Sequence, residues 1–188
     1  MIANDIYALC PASLLDLPLI YGLIVEGSAR GIFNSDHGTK GGRVSLFKML
    51  FKDIFRHPKL IGGKYSDRKY YVFKQGEQEI GFVSIEIRNI ADAQVECFIC
   101  ECSIIETHRQ QKHGRELLRK TLELTPAATQ VSAFCTTNAT AMAALLKTHG
   151  FVLVESVTLP GLLPISRYVL VNTGQVGAHQ VRSALDFA

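Results

Sequence analysis

The chain has 188 residues and a mass of 20.7 kDa, the size of one domain of roughly 100–200 residues. Hydrophobic residues make up 47% and charged residues 20%, which excludes a disordered chain. Twenty Lys and Arg against 17 Asp and Glu leave +3, too weak a charge to drive nucleic-acid binding without a clustered patch.

No apolar run approaches the ~20 residues of a membrane span, because the longest candidate is cut by Asp16, Pro18 and Gly22. No basic n-region opens the sequence, and five cysteines are an odd number. Reduced thiols in a cytoplasm are the simplest account, and no membrane partner is expected. Residues 6–9 read as a short first strand. Ser13 is placed to cap a helix running to about Arg30, with Asp16 in the capping-box position. Residues 34–43 are polar and glycine-rich and read as a flexible lid or linker. They lack the preceding strand and the Gly-Lys-Ser/Thr ending of a nucleotide loop. Leu46, Met49, Leu50 and Ile54 recur at helical spacing, predicting a second helix over 45–56 that His57-Pro58 ends. Lys59, Lys64, Arg68 and Lys69 follow as a basic cluster, read as solvated surface, with an acidic protein or a tRNA as its alternative partner.

Residues 70–74 and 80–88 are β-branched and aromatic runs around Gln75-Gly76-Glu77-Gln78, which predicts a hairpin. Residues 94–105 form a third strand whose apolar character suits the sheet centre. A helix over 115–124, a strand over 130–136 and a helix over 140–149 with Gly150 as its cap come next. Strands over 151–158 and 166–172 close the domain, residues 1–172. Residues 173–188 read as a flexible tail with one helical turn from Val181. The fold class is α/β, with a mixed sheet covered by helices on both faces.

The segment from Ile104 to Leu118 carries the chemistry. A buried strand ends, polar residues follow, and an amphipathic helix begins at a glycine. A helix N-terminus offers unpaired amide hydrogens and about half a positive charge, a ready anion site. Arg109, Lys112, His113 and Arg115 surround it, so a phosphate or diphosphate is the expected ligand.

These residues resemble the GNAT superfamily of N-acetyltransferases, whose signature is Gln/Arg-x-x-Gly-x-Gly/Ala between a central strand and the next helix. Arg109, Lys112 and Gly114 stand at the matching positions, with Lys112 in place of the first glycine. A second resemblance follows, with Asn138, a helix and then Gly150-Phe151. The resemblance spans roughly 70–172. It implies a mostly antiparallel sheet of about seven strands, with the two leading helices gating the substrate, and acetyl-CoA as acyl donor. Backbone amides from Gln110, Gln111, Lys112, His113, Gly114 and Arg115 would hold the diphosphate. The strand edge at Cys102, Ser103 and Ile104 would pair with the pantetheine arm. Asn138 is either a helix cap or a cofactor contact. His113 has a minor binding role and His108 none.

The implied activity is direct attack of a primary amine on the acetyl group. Glu101 and Glu96, with Glu86 on the neighbouring strand, are the candidate bases. Regular alternation puts Glu96 on the face of Ile104 and Glu101 on the other, an assignment that a bulge would change. The tyrosine that often protonates the leaving thiolate in the family is missing, since its position falls on Leu145 or Leu146. No metal is expected. Cys97, Cys100 and Cys102 lie on a strand, where Cys97 would face away from the other two, and read as small buried residues. Cys135 has the same reading but lies near the expected thioester. The acceptor is an amine on a small molecule or a protein. Nucleic acid is not an expected partner, though a tRNA-linked acceptor stays open, and a homodimer is compatible. A domain that binds coenzyme A without turnover is the alternative.

Overall fold

The computed structural model describes residues 6–33, 36–55, 60–61, 64–65, 67–90, 94–125, 128, 130–158 and 163–171. Lys59, part of the predicted lid and the expected tail with its Val181 turn lie outside those residues.

Strand β1 (Tyr7–Pro11) leads into the capping box that the sequence predicts. The Ser13 hydroxyl accepts from the Leu15 amide at 3.2 Å, and the Asp16 carboxylate accepts from the Ser13 amide at 2.6 Å. Burial alone would raise the Asp16 pKa, but the Ser13 hydrogen bonds outweigh it and hold the carboxyl below its ordinary value. A 3-10 turn (Leu14–Asp16) then runs into α1 (Leu17–Ala29), where Pro18 occupies a first-turn position that needs no amide hydrogen.

Helix α2 (Lys40–Phe55) begins at Lys40, not at the predicted Ser45. Residues 40–43 lack apolar periodicity, but Thr39 caps them. Its hydroxyl accepts from the Gly42 amide at 3.1 Å and donates to the Asp36 carbonyl at 2.9 Å. A small pair, β2 (Leu60–Ile61) with β3 (Lys64–Tyr65), was not legible in the sequence because two residues carry no period.

The hairpin follows as β4 (Asp67–Gln75) and β5 (Gln78–Asn89), with Gly76 at φ 58 in its turn. Then come β6 (Val95–Ile104), α3 (His113–Glu123), β7 (Gln130–Thr136), α4 (Thr140–Thr148), β8 (Val152–Val157) and β9 (Ile165–Val171). Helix α4 ends as predicted at Gly150, φ 84, where the Phe151 amide bonds Leu146 O and the Gly150 amide bonds Lys147 O, both at 3.1 Å.

Seven strands form one sheet in the order β1-β4-β5-β6-β7-β9-β8, antiparallel except where β6 meets β7. Helices α1 and α2 bury Ile20, Ile24, Leu46 and Leu50 against Tyr70, Val72 and Phe82 on one face. Helices α3 and α4 bury Leu117, Leu118 and Leu146 against Val83, Ile99 and Val131 on the other. The mixed, mostly antiparallel sheet with helices on both faces is therefore the architecture observed.

Two irregularities shape the centre of this sheet. Strands β6 and β7 pair only from Glu96–Gln130 to Ile99–Ala133; beyond that, β6 bonds β5 and β7 bonds β9, leaving a gap between them. In addition, Ser84 pairs with Glu101 while Ile85 pairs with Ile99, so Cys100 is an extra residue. This bulge reverses the side-chain alternation. It corrects the expected parity: Glu96 and Glu101 share the α1/α2 face, while Cys97 and Cys102 share the other.

Candidate functional site

A cleft of about 630 Å³ opens where β6 and β7 part, on the α3/α4 face. Of the predicted cofactor residues, Cys102, Ser103, Ile104, Arg109, Gln110, Lys112, Gly114 and Arg115 line it. Arg30 and Met142 line it too, from distant elements that the sequence pattern did not single out, as does Leu145, one of the two positions where the family's tyrosine would fall.

The turn before α3 carries an unusual backbone. Gln110 has φ 63 and Lys112 φ 67, the two positive values outside glycine among the described residues. Lys112, where the signature has glycine, thus keeps a glycine-like conformation and serves as the helix N-cap without any side-chain cap bond. The Arg115 amide bonds Lys112 O at 3.0 Å, which leaves the His113 and Gly114 amides of the first turn for an external acceptor.

Arg109 ties this turn to two elements, β6 and α1. Its Nε donates to Ile104 O at 2.8 Å, and its Nη2 pairs with Glu26 of α1 at 2.8 Å. Glu26 also pairs with Arg30 at 3.0 Å, and its carboxyl lies below its ordinary pKa, chiefly through the bond from Arg109. Among the described residues the remaining Arg109 Nη1 is buried without a hydrogen-bond partner, a donor that a phosphate oxygen would satisfy. With cations and unpaired amides at one end and the β6 segment Cys102, Ser103 and Ile104 along one wall, the cleft fits coenzyme A.

Three predicted residues do not reach the cleft. His113 is buried, its Nδ1 lying 3.1 Å from the Tyr7 hydroxyl; burial first, then His108, pushes its pKa down. Its ring serves β1–α3 packing, so the side-chain binding role is corrected, while its amide still belongs to the first turn. Gln111 turns away and donates to Thr107 O at 2.9 Å. Asn138 neither caps α4, whose N-cap is Ala139, nor lines the cleft; its amide donates to Arg30 O at 3.3 Å.

On the other side of the gap a smaller cavity of about 40 Å³ is lined by Glu101, Phe33, Phe134, Cys135 and Met142, among others. Glu101 is held by one oxygen. Ser84 Oγ donates to its Oε2 at 2.7 Å, and the Arg68 guanidinium pairs with the same oxygen. Among the described residues its Oε1 has no hydrogen bond. Burial would lower the Arg68 pKa, but the Glu101 charge raises it further, so Arg68 stays ionised. Arg68 thus leaves the solvated basic cluster that the sequence suggests.

Glu96 is 4% exposed and lies in the paired segment, away from the gap. Its Oε1 accepts from Ser132 at 2.6 Å, Arg167 at 2.9 Å and Gln130 at 3.0 Å. Burial would raise its pKa, but these donors overcome it and hold the carboxyl below its ordinary value. Glu86 pairs with Arg88 at 2.7 Å. Burial pushes the thiols of Cys97 and Cys135 up to about 11 and that of Cys102 to about 12, so all three remain protonated. Leu145 lines the cleft and Leu146 sits in the core, and neither can donate a proton. Among the described residues no helix is long and apolar enough to cross a membrane.

Comparisons with known proteins bear on this geometry. The model of the acetyltransferase (GNAT) family matches residues 44–151. A spermidine N-acetyltransferase from Vibrio cholerae, solved with CoA and spermine, is 14% identical, with a TM-score of 0.65 over 90% of this chain and 98% of that one. An acetyltransferase from Thermus thermophilus is 16% identical, with a TM-score of 0.60 over 88% and 96%. NAA60 of Arabidopsis thaliana, solved with a bisubstrate analogue, is 13% identical, with a TM-score of 0.61 over 88% and 97%. No curated protein matches the chain by sequence. The family model covers more than half of the 188 residues, and the chain belongs to the GNAT acetyltransferase family.

Proposed function

We propose that the chain is an N-acetyltransferase that moves an acetyl group from acetyl-CoA to a primary amine by direct attack. The observation that carries this reading is the gap between β6 and β7, with an anion-ready turn on one side and the half-held carboxylate of Glu101 on the other. Arg109, Lys112, Arg115 and the amides at His113 and Gly114 would hold the diphosphate, and the β6 edge at Cys102 and Ile104 the pantetheine arm. Bound there, the donor supplies an activated acetyl thioester. The amine would enter from the α1/α2 side. Glu101 Oε1 takes the ammonium proton, directly or through water, while Ser84 and Arg68 keep Oε2 in place. Glu96, engaged by three donors, takes no part.

Spermidine and protein α-amines are the first acceptors to try, because fold neighbours include a spermidine N-acetyltransferase and a ribosomal L7/L12 α-N-protein acetyltransferase. A second reading, coenzyme A binding without turnover, is favoured by one observation: Leu145 and Leu146 stand where the family often has its acid. Calorimetric titration with acetyl-CoA, followed by thiol release over a panel of polyamines, peptides and small amines, separates the two. Binding with turnover that Glu101→Gln abolishes supports the enzyme. Binding without turnover on any amine favours the silent domain, and absence of binding removes both.

A further inference from the structure

Helix α2 has two apolar faces. One buries Leu46 and Leu50 against the sheet. The other is a ridge at steps of three and four residues: Val44 is 57% exposed, Phe47 48%, Phe51 44% and Phe55 65%. The rings stack on one another, Phe47 on Phe51 at 6.4 Å and 20°, and Phe51 on Phe55 at 5.5 Å and 10°.

Around this ridge stand Lys40, Arg43, Lys48 and Lys52, all exposed and none in an ion pair among the described residues. On α3, by contrast, Arg119 pairs with Glu116 at 2.8 Å and also with Glu123. The one acid of α2, Asp53, is half-buried, and burial pushes its pKa up against the pull of Arg68. Four cations and one acid give the helix +3, the net charge of the whole chain.

We propose that the outer face of α2 docks on an anionic lipid surface. The phenylalanine ridge would enter the headgroup–acyl boundary, with the four cations against headgroup anions. A second copy is a poor occupant, because a two-fold contact would set unneutralised cations against their own kind. A nucleic acid is also a poor one, because the ring faces that bases would stack on are taken by neighbouring rings. A convex ridge suits a fluid interface, which needs no matching groove. That no helix among the described residues is long and apolar enough to span bears on crossing a membrane, not on lying against one. This inference stands apart from acetyl transfer.

The full chain is floated with phosphatidylcholine vesicles, with and without phosphatidylglycerol. Binding should be more than about tenfold tighter to the anionic vesicles and should weaken with salt. The chain contains no Trp, so Phe51→Trp places a sole fluorophore in the ridge, whose emission should shift to the blue on anionic vesicles alone. Phe51→Ser with Phe55→Ser, and separately Lys48→Glu with Lys52→Glu, should each abolish flotation while thermal unfolding stays cooperative. Equal binding to neutral and anionic vesicles overturns the proposal, as does no binding at all. So does a dimer in sedimentation that Phe51→Ser dissolves, or poly-glutamate binding by a protein that ignores vesicles.

Discussion

Arg68 on β4 and Glu101 on β6 form an ion pair across the strand between them, and Ser84 on that strand bonds both. The bulge at Cys100 makes the contact, because it turns Glu101 onto the face of Ser84 and Arg68. Glu101→Gln keeps the shape and a hydrogen bond from Ser84 but cannot take a proton. Its turnover should fall by about 10²–10⁴ with acetyl-CoA affinity unchanged, measured by thiol release and calorimetry. Arg68→Met strands the carboxylate instead. The side chains are 21% and 15% exposed, so the loss should be about 2 kcal/mol, below the ~3–5 of a fully buried pair. Urea unfolding reads that loss. Wild-type stability in Arg68→Met would mean that the pair holds nothing together.

Lys112 stores backbone strain at the phosphate turn. A left-handed residue other than glycine costs about 1–2 kcal/mol, and Lys112 stays there at φ 67 with no side-chain bond to compensate. Lys112→Gly should therefore raise stability by about 1 kcal/mol, or roughly 2–4 °C in melting temperature for a chain of this size. The lost cation should weaken acetyl-CoA binding only modestly, and more so at low salt. A lower melting temperature in Lys112→Gly would show that the lysine side chain, not the main chain, shapes the turn.

What the sequence made legible is local. The Ser13–Asp16 box, the Gly76 turn and the Gly150 cap each depend on spacings of a few residues, and each is found in place. The cleft residues from Cys102 to Arg115 were readable because they are contiguous. The early start of α2 was hidden because a polar Thr39 cap leaves no apolar period. Partners far apart in the chain were hidden as well. His113 is taken from the anion site by Tyr7, and Asn138 is taken from α4 by Arg30. The bulge at Cys100 belongs to the pairing of β6 with β5, so alternation along β6 alone gives the wrong face.

Gly81 guards the wall of the cleft. A Cβ there would lie 2.4 Å from Ser103 O and 2.8 Å from Ile104 Cδ1. The first contact is main chain, which cannot swing aside, so β5 and β6 would have to separate. Gly81→Ala should cost about 1–3 kcal/mol, as overpacking does, and should also weaken acetyl-CoA binding because Ser103 and Ile104 move. A stability loss with full affinity would place the pantetheine arm away from this edge.

Glu96 should govern acid stability. Burial opposes its charge, but Ser132, Arg167 and Gln130 hold its folded pKa below the value of about 4.3 expected when unfolded. The unfolded chain therefore binds the proton first as the pH falls. The stabilisation is fully present above about pH 4.3 and is lost as the pH drops through the lower folded value. Urea unfolding across that range should show a steep decline in the native protein. Glu96→Gln should be less stable at neutral pH, because Arg167 keeps only Glu155 at 3.7 Å, and its decline should be flatter. The same slope in both proteins would move the acid sensitivity to another carboxylate, with Asp16 and Glu26, also held below their ordinary values, next in line.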